Sequence, residues 1–220
     1  MIRTLAIASF TTKTLGTSGT SYHSQVYGTG IDAEILLPGI TNGCCNNVNY
    51  MYINNAIQTN LSFELSFDLK VDSGYGGDYV AIFFGSGNVA SNTDINNVIN
   101  TNGYYISFKL YAGDVGGRGL RIHNAANTIL AECALPTISS TFKKVQIRYQ
   151  RSVINTWRIY YDNVNHLTFN DPNNAAWVAS TGTYWGFVSR TGGATFKGYI
   201  KSINLRSSVS IGMFSHKYYN

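Results

Sequence analysis

The sequence predicts an all-β protein, an antiparallel β-sandwich, and three observations carry that reading. From Leu61 to Val71 the residues alternate, with Leu61, Phe63, Leu65, Phe67, Leu69 and Val71 on one face and Ser62, Glu64, Ser66, Asp68 and Lys70 on the other. Successive side chains of a strand point to opposite faces, so this segment lays one face on a core and shows the other to solvent. The corner Ser73-Gly74-Tyr75-Gly76-Gly77-Asp78 leads into the apolar run Tyr79-Val80-Ala81-Ile82-Phe83-Phe84, which Gly85 closes. A short apolar run bounded by glycine is the pattern of a strand buried on both faces. Finally, no segment carries a helical period, and turn residues recur at short spacing, as in sandwiches. The strands on either side of the corner are read as the central hairpin of the fold.

The other elements follow in order. Residues 1–24 are rich in Thr, Ser and Gly around one short apolar run and read as a first strand and an arm. The run Leu5-Ala6-Ile7-Ala8-Ser9-Phe10 is shorter than the apolar core of an export signal. Ile31 to Ile40 holds a strand ended by Pro38-Gly39, and Tyr50 to Ile57 holds another. Gly85 to Asn102 is polar and aperiodic, a surface loop. Tyr104 to Tyr111 alternates again, and the glycine-rich stretch Ala112 to Gly119 follows it. Leu120-Arg121-Ile122-His123 and Thr128-Ile129-Leu130-Ala131 form a hairpin about Asn124 to Asn127. Lys143 to Gln150 and Trp157 to Tyr161 alternate on either side of a turn, and His166 to Phe169 adds a strand. Tyr184 to Val188 and Phe196 to Leu205 close the domain.

Composition narrows the function classes. A chain of 220 residues suits one all-β domain. Charged residues make up 12%, about half the usual quarter, and Asn, Thr, Ser, Gly and Tyr take their place. The net charge is +5, but the basic residues are scattered and Lys143-Lys144 is their one adjacent pair, so nucleic acid is not an expected partner. No apolar stretch is long enough to cross a bilayer, so no membrane insertion is expected. Three cysteines, Cys44, Cys45 and Cys133, form neither a disulfide framework nor a metal-finger spacing. They read as reduced thiols, with a bridge from Cys133 to Cys44 or Cys45 left open.

Three stretches, taken together, resemble the legume-like (L-type) lectins and the wider concanavalin A-like family. Leu61 to Lys70 is similar to the family's S-F-x-x-x-F strand, and Gly77 to Phe84 to its A-D-G-x-A-F-F segment. Tyr184-Trp185-Gly186-Phe187-Val188-Ser189-Arg190-Thr191-Gly192-Gly193, running into Ile200 to Leu205, is similar to its closing G-F-S-A-x-T-G…S-W-x-F. The resemblance implies an antiparallel jelly-roll β-sandwich of the concanavalin A-like kind over residues 25–206, with the N-terminal strand and arm at 1–24 and a C-terminal docking tail at 207–220. The closing stretch also resembles lectin-like domains in structural proteins of large icosahedral DNA viruses.

In sugar-binding members an aspartate at the start of the apolar strand accepts bonds from sugar hydroxyls. Asp78, after Gly77, occupies that place, and the Ser189, Arg190, Gly192 and Gly193 stretch corresponds to the loop whose backbone N–H assists. An ionised carboxylate only accepts hydrogen bonds, which suits paired O–H donors. The alternative is that Asp78 caps the glycine turn. Tyr75 and Tyr111 are candidates to stack on a sugar face.

The family's metal ligands fall here on Ser107, Lys109, Tyr111, Gly113, Arg118 and His123. Every acidic ligand is missing and two positions are cationic, a poor match to calcium's need for oxygen donors. No metal and no cofactor are expected, and Lys109 or Arg118 is a candidate to supply the missing positive charge. Catalysis is not expected either. Two carboxyls ~5–10 Å apart serve a glycosidase, whereas Glu64 and Asp68 stand ~13 Å apart along one strand. The four histidines show no triad or zinc spacing.

Two expectations result. One is a non-enzymatic minor capsid component of a virus particle, assembled in the host cytoplasm, with other virion proteins as partners. The alternative is a metal-independent lectin, soluble within the cell, that binds glycans through Asp78 and the 189–193 loop.

Overall fold

The computed structural model describes residues 2–4, 11–15, 25–27, 34–37, 47–54, 62–72, 79–86, 102–113, 116–124, 126–171, 183–191 and 197–207. Every regular element among them is a strand. The first seven are β1 (Ile2–Thr4), β2 (Thr11–Leu15), β3 (Gln25–Tyr27), β4 (Glu34–Leu37), β5 (Asn47–Asn54), β6 (Phe63–Asp72) and β7 (Tyr79–Ser86). The next four are β8 (Asn102–Lys109), β9 (Gly119–Asn124), β10 (Ile129–Cys133) and β11 (Lys143–Gln150). The last four are β12 (Asn155–Tyr161), β13 (Val164–Asp171), β14 (Thr183–Thr191) and β15 (Lys197–Ser207).

The strands form two antiparallel sheets. One has eight strands in the order β13-β12-β11-β6-β15-β4-β3, with β1 also paired to β15. The other has seven in the order β10-β9-β8-β7-β14-β5-β2. Strands β1 and β2, from the segment read as strand and arm, thus lie one in each sheet. Strands β2 and β3 escape prediction because Thr-Thr-Lys-Thr-Leu and Gln-Val-Tyr carry too few apolar residues to show a period.

The expected hairpin of β6 and β7 is corrected by this topology. Strand β6 pairs with β11 and β15 in one sheet, and β7 pairs with β8 and β14 in the other. The chain crosses from sheet to sheet between residues 72 and 79, so the two strands face each other across the core.

Alternation explains what that core contains. Phe63, Leu65, Phe67, Leu69 and Val71 of β6 meet Val80, Ile82 and Phe84 of β7 and Trp185 and Phe187 of β14 in one cluster. Trp157 stands at its centre, with Phe63, Phe84, Tyr104 and Tyr149 at ring-centroid distances of 5.9, 5.6, 5.0 and 4.7 Å. These rings come from both sheets, so Trp157 ties one to the other. Close by, the Tyr104 hydroxyl donates to the buried carboxylate of Asp171, on the opposite sheet. Burial and this carboxylate push the Tyr104 hydroxyl far above the usual phenol range.

Local chemistry sets the turns. Asp162 and Asn163 both take positive φ, 50° and 66°, in the two-residue link between β12 and β13, as a tight hairpin requires. The hairpin about Asn124 to Asn127 forms as expected. The Asn124 N–H donates to the Thr128 carbonyl, and the Asn124 side chain accepts from the Thr128 N–H. In β15 a register shift after Lys201, with Ser202 at φ 55°, lets Ile200, Ile203 and Leu205 all turn inward.

Candidate functional site

The register of the seven-stranded sheet assembles the site. Tyr79, the first residue of β7, lies opposite Arg190 of β14 on one side and Lys109 of β8 on the other. Lys109 lies opposite Gly119, the first residue of β9. One end of the sheet therefore carries the start of β7, the end of β14 and the 110–118 connection. Sequence reasoning placed its candidates on these same stretches. Gly77 and Asp78 precede Tyr79 directly, but they lie outside the described residues, as do Tyr75, Gly192 and Gly193. Tyr111, two residues past β8, is 41% exposed and presents its ring at this end. The Ser189 side chain is wholly buried and shares the core-facing side of β14 with Trp185 and Phe187, so any part it takes at a site is through its backbone.

The sheet's outer face, turned away from the other sheet, is also buried. Tyr79, Ala81 and Phe83 of β7, Tyr105 and Ser107 of β8 and Val188 of β14 all lie on it with little or no exposure. Two charged or titratable residues of β9 share that burial, Arg121 at 3% and His123 at 8% exposure. Alternation of Leu120-Arg121-Ile122-His123 puts them opposite the core, a position that reads as solvent-facing from sequence. The one signal that this face is covered is the unbroken apolar run of β7, two strands away.

These residues are tied together. His123 Nε2 and Ser107 Oγ share a 3.1 Å hydrogen bond, and the imidazole stacks on the Tyr105 ring at 4.1 Å with planes 10° apart. The Tyr105 hydroxyl donates to the Asn127 side chain. Burial holds His123 down to a pKa of about 4; Arg121 and Lys109 push the same way, and hydrogen bonding to Asn127 opposes them. The ring is therefore neutral at pH 7.

Arg121 was missed by sequence reasoning and is the organising group of the 110–118 connection. Its Nε sits 3.1 Å from the carboxylate of Glu132, its cross-strand neighbour. Its Nη2 donates to the Gly116 carbonyl at 2.5 Å and the Gly117 carbonyl at 3.1 Å. Arg118 closes the base of the same loop, its Nε donating to the Leu110 carbonyl at 2.8 Å. Cys133, at the end of the neighbouring strand, is a free thiol, and Cys44 and Cys45 lie outside the described residues. Burial, then the adjacent Glu132, push that thiol up.

The residues at the positions of the implied metal ligands do not fit a dication. Ser107 and His123 are bonded to each other, Arg118 is turned to a backbone carbonyl, and Lys109 acts on His123 as a positive charge. Among the described residues no group of three or more His, Cys, Asp or Glu side chains converges. Catalytic chemistry has no better support here. The Ser107–His123 pair has the polar contact of a nucleophile and base, but both residues are buried and, among the described residues, no carboxylate is bonded to the ring.

Comparison with known proteins agrees on the architecture. Lectin II from Ulex europaeus superposes with a TM-score of 0.66 at 14% identity, covering 95% of this chain and 98% of that one. A lectin from Bauhinia forficata in complex with GalNAc gives 0.64 at 14% identity, covering 94% and 99%. The carbohydrate recognition domain of Emp47p gives 0.63 at 14% identity, covering 91% and 89%. No protein-family model matches the chain, and no curated protein matches it in sequence. At such identities the likeness carries the fold alone. The chain has the concanavalin A-like sandwich fold.

Proposed function

We propose that this chain is a non-enzymatic carbohydrate-binding module whose site lies at the end of the seven-stranded sheet. The observation that carries the reading is the register of Tyr79 with Arg190 and Lys109, which brings the three candidate stretches to one place beside the exposed Tyr111 ring. Asp78 accepts a pair of sugar hydroxyls, backbone N–H groups after Arg190 donate to the same sugar, and Tyr111, with Tyr75, offers an aromatic face. Aromatic rings suit a ligand whose faces are weakly apolar and whose edges are polar. The sugar-binding proteins of the same fold support the reading as precedent. The reading as a minor capsid component of a virus particle, with 207–220 as its docking tail, rests on sequence resemblance alone and takes second place. The tail beyond Ser207 lies outside the described residues.

The test is a glycan array probed with the purified protein, then repeated with Asp78→Ala and Tyr111→Ala. Retention on a defined set of glycans, abolished by the first substitution and weakened by the second, is the expected result. A blank array for the unaltered protein sinks the proposal.

A further inference from the structure

We propose that Arg121 is the resident cation of the 110–118 loop: it holds the loop in its binding shape, so that sugar binding at this end of the sheet needs no divalent metal ion. What the loop binds rests on the reading above; how the loop is held does not.

The geometry is that of a centre to which the backbone has been fitted. One nearly inaccessible guanidinium gathers the carbonyls of two consecutive residues, Gly116 and Gly117, together with the Glu132 carboxylate. Pointing two consecutive carbonyls at one cation forces the chain into an unusual turn, and both glycines take positive φ, 80° and 62°. A Cβ on Gly116 would lie 2.6 Å from Arg121 Nη2, so a side chain there must push the guanidinium aside, on top of the strain that φ 80° imposes. This accounts for the glycine-rich stretch after β8, which has no phosphate-binding context because no helix follows it. Arginine suits the task because its planar fork carries a permanent charge and several donors in fixed directions. An inorganic cation would do the same work by collecting carbonyl and carboxylate oxygens. Here the oxygens are already taken, and Arg121, Arg118 and Lys109 make the neighbourhood repulsive to a second cation.

A merely structural ion pair between Arg121 and Glu132 makes a different prediction, since it involves neither the loop nor the ligand. The experiment compares the unaltered chain with Arg121→Lys, Arg121→Met and Gly116→Ala. It reads amide hydrogen exchange across 111–118, the global unfolding midpoint, and retention on the glycans identified by the array, with and without excess EDTA. Lysine keeps the charge but cannot span the two carbonyls and the carboxylate together. The expected result is exchange in the 111–118 amides at least about tenfold faster in all three variants, with β6 and β7 amides unchanged. Glycan affinity should fall by about tenfold or more, and EDTA should leave the unaltered chain's binding intact. Unchanged loop exchange in Arg121→Lys and Arg121→Met overturns the proposal. So does binding by the unaltered chain that EDTA abolishes and calcium restores. Should Arg121→Met fail to fold, Arg121→Lys, which keeps the buried charge, carries the exchange measurement. A chain that binds no glycan while its loop exchange responds as expected refutes the sugar-binding reading and leaves the role of Arg121 in the loop standing.

Discussion

Acid destabilisation traceable to a single histidine is the most direct consequence of the buried outer face. His123 has a pKa of about 4 in the folded chain, against 6.5 for a free histidine. Above pH 6.5 neither the folded nor the unfolded chain protonates the ring, and the group contributes nothing. As pH falls below 6.5 the unfolded chain takes up a proton that the folded chain refuses, so the folded state loses ground at about 1.4 kcal/mol per pH unit. The loss reaches about 2 kcal/mol at pH 5 and levels off near about 3 kcal/mol by pH 4, a sizeable part of the 5–15 kcal/mol that stabilises a typical domain. Arg121 on the same strand and Lys109 on β8 strengthen the effect, because a proton on His123 would face both. The assay is urea unfolding of the unaltered chain and of His123→Gln at steps from pH 7.5 to 4.5. Glutamine retains a polar group for Ser107 but does not titrate. Subtracting the variant removes every other titrating group, and the difference should follow the curve above. A difference that stays flat across the range, or a His123 resonance titrating near pH 6.5, refutes the argument.

Three further outcomes follow from the packing. Tyr104→Phe removes a donor from the buried carboxylate of Asp171 and should cost about 1–3 kcal/mol in urea unfolding at pH 7, and no cost would mean that the contact contributes nothing in solution. Trp157→Ala empties the centre of the ring cluster and should cost about 3–5 kcal/mol, which lowers Tm by roughly 6–20 °C in calorimetry; a shift of a degree or two would show that the sheets do not depend on it. Arg148→Ala breaks a 2.7 Å ion pair with Glu64 on the exposed face of β6 and β11 and should change stability by less than about 1 kcal/mol, whereas a larger loss would mark that face as more than a solvated surface.

Strands were legible wherever one face is core and the other solvent, because alternation then writes the structure into the residue types. Strand β11 runs over the predicted Lys143 to Gln150, and β6 matches the predicted strand to within two residues at its start and one at its end. Pairing was less legible. A six-residue corner serves a hairpin and a crossing between sheets equally well, and only the partners supplied by β11, β14 and β15, all more than 70 residues downstream of β6, decide between them. At the site, the stretches that meet were identified because they lie at strand ends, but Arg121 was not. Alternation says which side of a strand a residue takes and is silent on whether that side is covered. A buried arginine and histidine look like two exposed ones until the neighbouring strand shows apolar residues on both faces.

The strand order also governs when this protein can fold. The last two strands of the sandwich are internal: β14 separates β7 from β5, and β15 separates β6 from β4. A growing chain that has reached Asp171 already holds β13-β12-β11-β6 and β10-β9-β8-β7 with the rings around Trp157, but nothing yet joins β5 to β7 or β4 to β6. Synthesis must deliver residues 183–207 before Trp185, Phe187, Ile200, Ile203 and Leu205 complete the core. During that interval one edge of β6 and one edge of β7 wait without their partners, which makes a slow translation step ahead of Thr183 a hazard for aggregation.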